Sequence, residues 1–495
     1  MRPNLENSIK SSILKGKKPF VWYNLSTTKK NTQTEDPALS TSITQNDYDA
    51  AEVNTSIVVF FKRFHIGSIL KASNIYKTKG VSPLKIMEYL FTLVFTGKSM
   101  YMDHLLNSSD NSCAKDAVYR FMKNGSANWN KFTSLLSAKI AKTFVEPANS
   151  EDRVNVFIVD DSVFSRNRSK KVELLTKIFD HAHHAYLLGF RMLTLSWSDG
   201  ATLLPVAASL LSSENEKTRI NEAIKTDRRS NAYRRRKLSM TKGTDAMIEL
   251  IKEAKKARLS ADYVLFDSWF ASPKTLLAVK DLGYDVIAMI KRAETMKFEY
   301  NGEQKSLKEI YKLNKKRRGR SKYLLSVTVN VSKEGRSIPA RVVYVRNRSN
   351  RKDYLCLITT DTSIDENEII RIYGKRWQIE VFFKVCKSYL KLATECRSLS
   401  YDAMSAHVAI VFARYMLLAV ENRESEDPRT LGELFLFFTD ELADISFAQA
   451  FAQIMEMFRE EMKDRFDLDE ATISEMVDRF ISALRPSTQR QLKAV

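Results

Sequence analysis

Val154-Asn-Val-Phe-Ile-Val159-Asp160-Asp161-Ser162 is the stretch on which the fold turns, a run of β-branched and aromatic residues that ends in two adjacent carboxylates. Such a run predicts a strand, with the acidic doublet at its end. Working outward, 186–197 is a long β-rich run, Ser198-Asp199-Gly200 is a hairpin turn, and 202–210 continues the sheet. Beyond a basic stretch, 244–258 predicts a helix and Tyr263-Val-Leu-Phe266 a buried strand that stops at Asp267. A second helix over about 273–282 and a strand over 284–290 complete the alternation.

Three antiparallel strands followed by helix, strand, helix and strand predict an α/β fold of the ribonuclease-H-like arrangement. The expected core spans 149–290 and is interrupted by a β-rich insertion over 291–364, where 323–331 and 340–345 are the strands. It is completed by final helices over 365–425, capped by Asp365 or Asn367. Helical regions flank this core. Residues 1–55 form a polar, basic arm with little hydrophobic period.

Residues 56–148 read as a helical, DNA-binding region. There Ser82-Pro83 starts one helix, a second runs over about 114–123, and a third begins near Trp129. An ordinary helical bundle would produce the same pattern. Residues 426–495 are helical, with acidic residues in excess over 431–484. Leu434, Phe435, Phe437, Phe438, Phe447, Phe451 and Met455 offer a packing surface there that would serve dimerisation.

Seventy-nine Lys and Arg against 59 Asp and Glu leave a formal charge of +20, which favours a long polyanion over a small metabolite or an acidic protein as partner. Two basic runs stand out within the core and its insertion. One holds Arg228, Arg229, Arg234, Arg235, Arg236 and Lys237, and the other Lys315, Arg317, Arg318 and Arg320. Basic runs are commonly solvated faces; their place in the core favours contact with a DNA backbone.

Cys113, Cys356, Cys386 and Cys396 are scattered with no C-x-x-C pair, which argues against a disulfide framework and a cysteine zinc site. A cytoplasmic, nucleoid-associated protein is expected, with no signal peptide and no membrane span, since the most apolar stretch, 403–420, is broken by His407 and Arg414. His181, His183 and His184 have no further His or Cys at zinc-binding spacing.

Asp161, Asp267 and Glu380 stand where an α/β sheet gathers side chains, two at strand ends and one on a helix packed beside that edge. Hard oxygen ligands of this kind suit two Mg²⁺ or Mn²⁺ ions acting on a phosphodiester. Asp160 is the alternative to Asp161, because neighbouring strand residues point in different directions. Asp267 before Ser268 would also serve as a helix N-cap. On one helix, Tyr373, Arg376, Glu380 and Lys387 fall within an arc of roughly 60°. Ile372, Trp377, Ile379, Val381, Phe382, Phe383 and Val385 predict that the rest of this helix is buried. The competing reading is an ion-pair ladder through Arg376, Glu380 and Lys384.

Asp160-Asp-Ser162 after a strand, Phe266-Asp-Ser-Trp-Phe270 and Tyr373-x2-Arg376-x3-Glu380-x6-Lys387 together resemble the DDE transposases of bacterial insertion sequences. The resemblance is to the insertion-sequence-four family with its Y-R-E-K signature. Ala117-Val-Tyr-Arg-Phe-Met-Lys-Asn124 with Asn128-Trp-Asn130 is similar to that family's N-terminal helical region, so the resemblance covers about 60–420. The family usually has Thr where Ser162 stands, and both offer a hydroxyl.

The resemblance implies that Asp161, Asp267 and Glu380 are the catalytic, metal-binding triad. It further implies that Tyr373, Arg376 and Lys387 hold phosphates at a transposon end, and that the β-rich insertion shapes the hairpin or flipped base there. The activity implied is cut-and-paste transposition by a homodimer on DNA, acting on terminal inverted repeats and joining them to target DNA. A domesticated, non-cleaving DNA-binding protein and a ribonuclease-H-like nuclease are the rivals.

Overall fold

The computed structural model describes residues 56–97, 99–106, 113–148, 153–180, 184–347, 350, 353–424 and 469–484, with isolated positions between 431 and 463. The expected arm, His181, His183, and Phe435, Phe437, Phe438 and Phe447 of the expected packing surface lie outside the described residues. Two compact units divide the chain: Asp49–Ile454 with Arg490–Val495, and Met1–Tyr48 with Met455–Gln489.

The larger unit is built on one mixed sheet of eleven strands. In chain order these are β1 (Val156–Ser165), β2 (Thr176–Asp180), β3 (Ala185–Ser198), β4 (Leu203–Leu211), β5 (Tyr263–Phe266), β6 (Asp285–Met289), β7 (Lys297–Tyr300), β8 (Glu303–Ser306), β9 (Tyr323–Lys333), β10 (Arg336–Arg346) and β11 (Tyr354–Thr359). Across the sheet the order is β2-β3-β1-β5-β6-β11-β10-β9-β7-β8, and β4 follows β2 along the outer side of β3. β1 runs antiparallel to β3 and parallel to β5, which is parallel to β6.

Helices α1 (Ser56–Arg63), α2 (Ile66–Ala72), α3 (Pro83–Thr92), α4 (Met100–Leu106), α5 (Lys115–Met122) and α6 (Trp129–Ile140) precede the sheet. α7 (Asn231–Ser239) and α8 (Gly243–Lys256) join β4 to β5, α9 (Pro273–Asp281) joins β5 to β6, and α10 (Leu307–Leu313) lies between β8 and β9. α11 (Glu366–Gly374), α12 (Gln378–Ser388) and α13 (Tyr401–Glu424) follow β11. In the smaller unit, α14 (Glu470–Ala483) starts where the Asp469 carboxylate accepts the Thr472 N–H at 2.7 Å, and it buries Ile473 and Val477, four residues apart.

Local signals explain most helix starts. The Ser82 hydroxyl accepts the Lys85 N–H at 3.2 Å with Pro83 at the first helical position, and Asn128 does the same for Lys131 at 3.0 Å. The Asp365 carboxylate caps α11 by accepting the N–H groups of Asn367 and Glu368.

Among the described residues β4 has a partner strand only on its β3 side, and a bare strand edge would leave polar backbone groups unpaired inside the protein. Helices cover it instead. Thr133 and Ser137 of α6 donate to the Val206 and Pro205 carbonyls at 2.7 and 2.8 Å, and the Asn130 side chain accepts from Ala208 N–H at 3.1 Å. Ser239 of α7 and the Tyr401 phenol of α13 both donate to the Leu210 carbonyl. The same edge position tolerates Pro205, which has no N–H to give. α13 is long and apolar enough over Tyr401–Arg423 to cross a membrane, and its apolar side chains are buried by the protein's own elements.

Three features go beyond the expected element order. β1 does not stop at the acidic doublet but continues to Ser165, because β3 pairs with it all the way to Gly189. β2, a five-residue strand too short to announce itself in the sequence, extends the sheet along β3. The stretch expected as a β-rich insertion joins the same sheet, through antiparallel pairing of β11 with β6 at Leu357↔Met289 to Thr359↔Ile287.

Candidate functional site

The parity of β1 decides which carboxylate of the doublet faces which side. β1 and β5 are in parallel register from Val156↔Tyr263 to Val159↔Phe266, so that Asp160 and Asp267 each follow the last pair of the ladder. Residues at matching positions of adjacent strands share a face, so Asp160 and Asp267 do, and Asp161 points the opposite way. The contacts agree: Asp161 Oδ1 pairs with Arg191 Nη2 of β3 at 3.0 Å. Asp160, the alternative to Asp161, is thus the member of the doublet that shares Arg376 with Glu380 and feels the charge of Asp267.

Arg376 is the hub of that meeting. Its Nη1 donates to Asp160 Oδ2 at 2.7 Å and its Nη2 to Glu380 Oε1 at 2.9 Å, and Asp267 adds its field to both Asp160 and Arg376. Burial pushes the Asp160 carboxyl up to about 6, against the pull of Arg376 and of the Asp161 N–H that Oδ1 accepts at 2.8 Å. Tyr373 Oη stands beside Arg376 and the Met289 backbone without a well-formed hydrogen bond, and burial pushes its phenol up to about 12.

Glu380 is held in place from the hairpin between β3 and β4. The helix is interrupted by a 3₁₀ turn, Lys375–Trp377, between α11 and α12. Lys375 Nζ donates to the Val154 carbonyl at 2.6 Å, the Gln378 side-chain carbonyl accepts from the Ser198 hydroxyl at 2.5 Å, and its amide donates to the Gly200 carbonyl at 2.8 Å. Gly200, at φ +100°, is needed for the turn, and the end of the Lys375 side chain packs against it. Asp199 in the same turn is fully buried and paired with Arg153 and Arg423 at 2.7 and 3.0 Å.

The expected stripe is brought together only in part. Tyr373, Arg376 and Glu380 meet, whereas Lys387 lies at the far end of α12, where partial burial lowers its ammonium and Asp180 of β2 is the carboxylate acting on it. The ladder is formed only at its Arg376–Glu380 rung, and Lys384 is exposed. The helix is also less buried than its composition predicts. Ile379, Phe382, Phe383 and Val385 are covered, but Trp377 and Val381 are 64% and 43% exposed.

The basic runs divide in the same way. Arg236 is buried and clamped by Glu173 at 2.6 Å and Asp402 at 2.9 Å, and Arg235 lies 2.8 Å from Asp402 and bonds the Gly125 carbonyl. These two guanidinium groups, expected to contact DNA, are committed to buried carboxylates in the structure. Arg234 and Lys237 of the same helix are exposed. Lys315, Arg317, Arg318 and Arg320 are exposed on the loop between α10 and β9.

Sequence reasoning missed Lys375, Gln378 and Arg191, whose roles depend on strands they reach only in three dimensions. It also missed Trp269, exposed on the turn after Asp267 with Lys291 Nζ 4.9 Å and Arg191 Cζ 5.6 Å from its ring centroid.

The donor set of Asp160, Asp267 and Glu380 is all carboxylate oxygen, which fits a hard divalent cation. Among the described residues no three His, Cys, Asp or Glu side chains stand close enough to cage an ion as they are. Between Asp160 and Glu380 lies the Arg376 guanidinium.

A family model described as DDE superfamily endonuclease matches residues 89–352, more than half of the chain. The match includes Asp160 and Asp267 and ends before Glu380. No curated protein matches the chain.

Proposed function

The chain belongs to the DDE superfamily endonuclease family, and from that premise we propose that it is a DNA transposase related to the insertion-sequence-four group, which cuts the terminal inverted repeats of its element and joins them to target DNA. The family implies DNA as substrate and divalent metal ions as cofactors. The observation that carries the proposal is the convergence of Asp160 from β1, Asp267 after β5 and Glu380 from α12 around Arg376.

In this reading Asp160, Asp267 and Glu380 would hold Mg²⁺ or Mn²⁺, two ions in the full site. Such ions supply activation of water or a 3′-hydroxyl and stabilisation of the leaving oxygen. The chain's own residues do the rest. Tyr373 and Arg376 bind and orient the phosphate next to the cleaved bond, and the hairpin anchors Lys375 and Gln378 keep Glu380 aimed at the sheet edge. Lys387, Arg234 and the loop holding Lys315, Arg317, Arg318 and Arg320 track the backbone further out.

A ribonuclease-H-like core is supported by the order β4-β3-β1-β5-β6, with antiparallel pairing among the first three strands and parallel pairing among the last three. The strands that continue from β11 to β8 would then be an insertion that shapes the DNA end. Two ends must be processed together, so a homodimer on DNA, working at the nucleoid, belongs to the proposal.

The test is incubation of the protein with Mg²⁺ and a labelled duplex carrying a candidate terminal repeat. Cleaved and joined product is expected. Absence of cleavage overturns both enzyme readings, and cleavage with no joined product leaves a nuclease.

A further inference from the structure

We infer that Arg376 and a divalent cation compete for the same carboxylates, so that Arg376 is a positioning residue whose release by a DNA phosphate makes Asp160 and Glu380 available to metal. This inference rests on the metal-dependent reading above and adds an order of events to it.

Arg376 spends one Nη on Asp160 and the other on Glu380, at 2.7 and 2.9 Å, which are the lengths of charge-assisted bonds. These are two of the three carboxylates that a cation would use, and a cation and a guanidinium repel each other across a shared oxygen. Both neighbours of this segment are anchored, Lys375 to the Val154 carbonyl and Gln378 to Ser198 and Gly200. The backbone is therefore fixed, and Arg376 yields its place by turning its own side chain.

A guanidinium that leaves two carboxylates needs another anion that offers two oxygens to its fork. A phosphate matches its fork as well as a carboxylate does. Tyr373 Oη, beside Arg376 and lacking a well-formed bond of its own, is a second donor for that phosphate. The exchange links the two ligands. A DNA end that takes Arg376 strengthens cation binding, and by reciprocity the cation strengthens DNA binding by the same factor. Without DNA, Arg376 keeps the carboxylates satisfied and the site poorly receptive to metal.

Mn²⁺ binding to the full-length chain, followed by the paramagnetic resonance of the free ion, tests this with no turnover required. The titration compares wild type, Arg376→Ala and Arg376→Gln, with and without a duplex end whose scissile phosphate is replaced by a non-cleavable analogue. Gln keeps most of the side-chain volume and serves if Ala unfolds. Without DNA, both variants are expected to bind Mn²⁺ about tenfold more tightly than wild type. The duplex is expected to tighten Mn²⁺ binding to wild type and to have no such effect on the variants. Mn²⁺ binding by wild type that the variants leave unchanged or weaken overturns the inference and spares the metal-dependent reading. Mn²⁺ binding by none of the three chains overturns both.

Discussion

Arg376 joins Asp160 at 2.7 Å across 216 residues of sequence, while Asp161, the next residue after Asp160, turns to the opposite face of β1 and pairs with Arg191. The two acidic neighbours therefore have separable roles. Asp160→Asn, Asp267→Asn and Glu380→Gln are each expected to lower cleavage of a labelled end by at least about a hundredfold, more than the usual effect of residues that only support metal ligands. DNA binding, read by gel shift, should persist. Asp161→Asn should keep cleavage within a few fold of wild type. Full activity in Asp160→Asn together with its loss in Asp161→Asn would reverse the assignment.

Arg236 and the loop arginines look alike in sequence and should behave oppositely. Arg236→Ala leaves Glu173 and Asp402 buried without their partner, which costs roughly 3–5 kcal/mol in chemical denaturation. Arg317→Ala and Arg320→Ala change exposed side chains and should leave the denaturation midpoint in place. Each is expected to reduce the salt slope of DNA binding by about 1. An unchanged slope in both would remove the loop from the DNA path.

His407 provides a pH dependence. It is fully enclosed on α13, with Glu395, Arg414 and Arg166 acting on it, and burial pushes its imidazole down to about 4. In the unfolded chain it takes up a proton near pH 6.5, and in the folded chain only near 4. Its contribution is thus fully present above pH 6.5 and is lost as pH falls from 6.5 towards 4, by up to about 3 kcal/mol. Melting temperatures of wild type and His407→Gln across pH 4 to 8, a range chosen to bracket these values, should diverge in slope within that window. Parallel curves would mean that the imidazole ionises inside the fold.

Gly189 is required by space and not by an unusual backbone angle. It sits in β3 opposite Ser165 of β1 and Thr176 of β2, and a Cβ there would lie 2.3 Å from the Phe164 carbonyl oxygen. Gly189→Ala must push two strands apart and is expected to destabilise the protein by about 1–3 kcal/mol. A variant as stable as wild type would show that β1 and β3 can separate locally at no cost.

The element order of the core was legible in the sequence because each signal was local. Val154-Asn-Val-Phe-Ile-Val159 and Tyr263-Val-Leu-Phe266 carry strand periodicity, while Ser82-Pro83, Asn128 and Asp365 carry helix starts within three residues of the bonds they make. Glu380 could be picked out with Arg376 because four residues on a helix is also a local distance. β2 escaped, since five residues are too few for periodicity to register, and its strand state comes from β3.

What the sequence alone determined, then, is the order of the longer strands and helices of the core, the excess of positive charge, and the spacing that sets Tyr373, Arg376 and Glu380 near one another. Tertiary structure decided the rest: that Asp160 and not Asp161 faces Asp267, that Arg236 is buried while Arg317 is exposed, and that the expected insertion continues the sheet. The reason is physical. Periodicity and capping are interactions within a few residues, whereas the face a side chain takes depends on the register of strands far apart in the chain, and one residue of register reverses it.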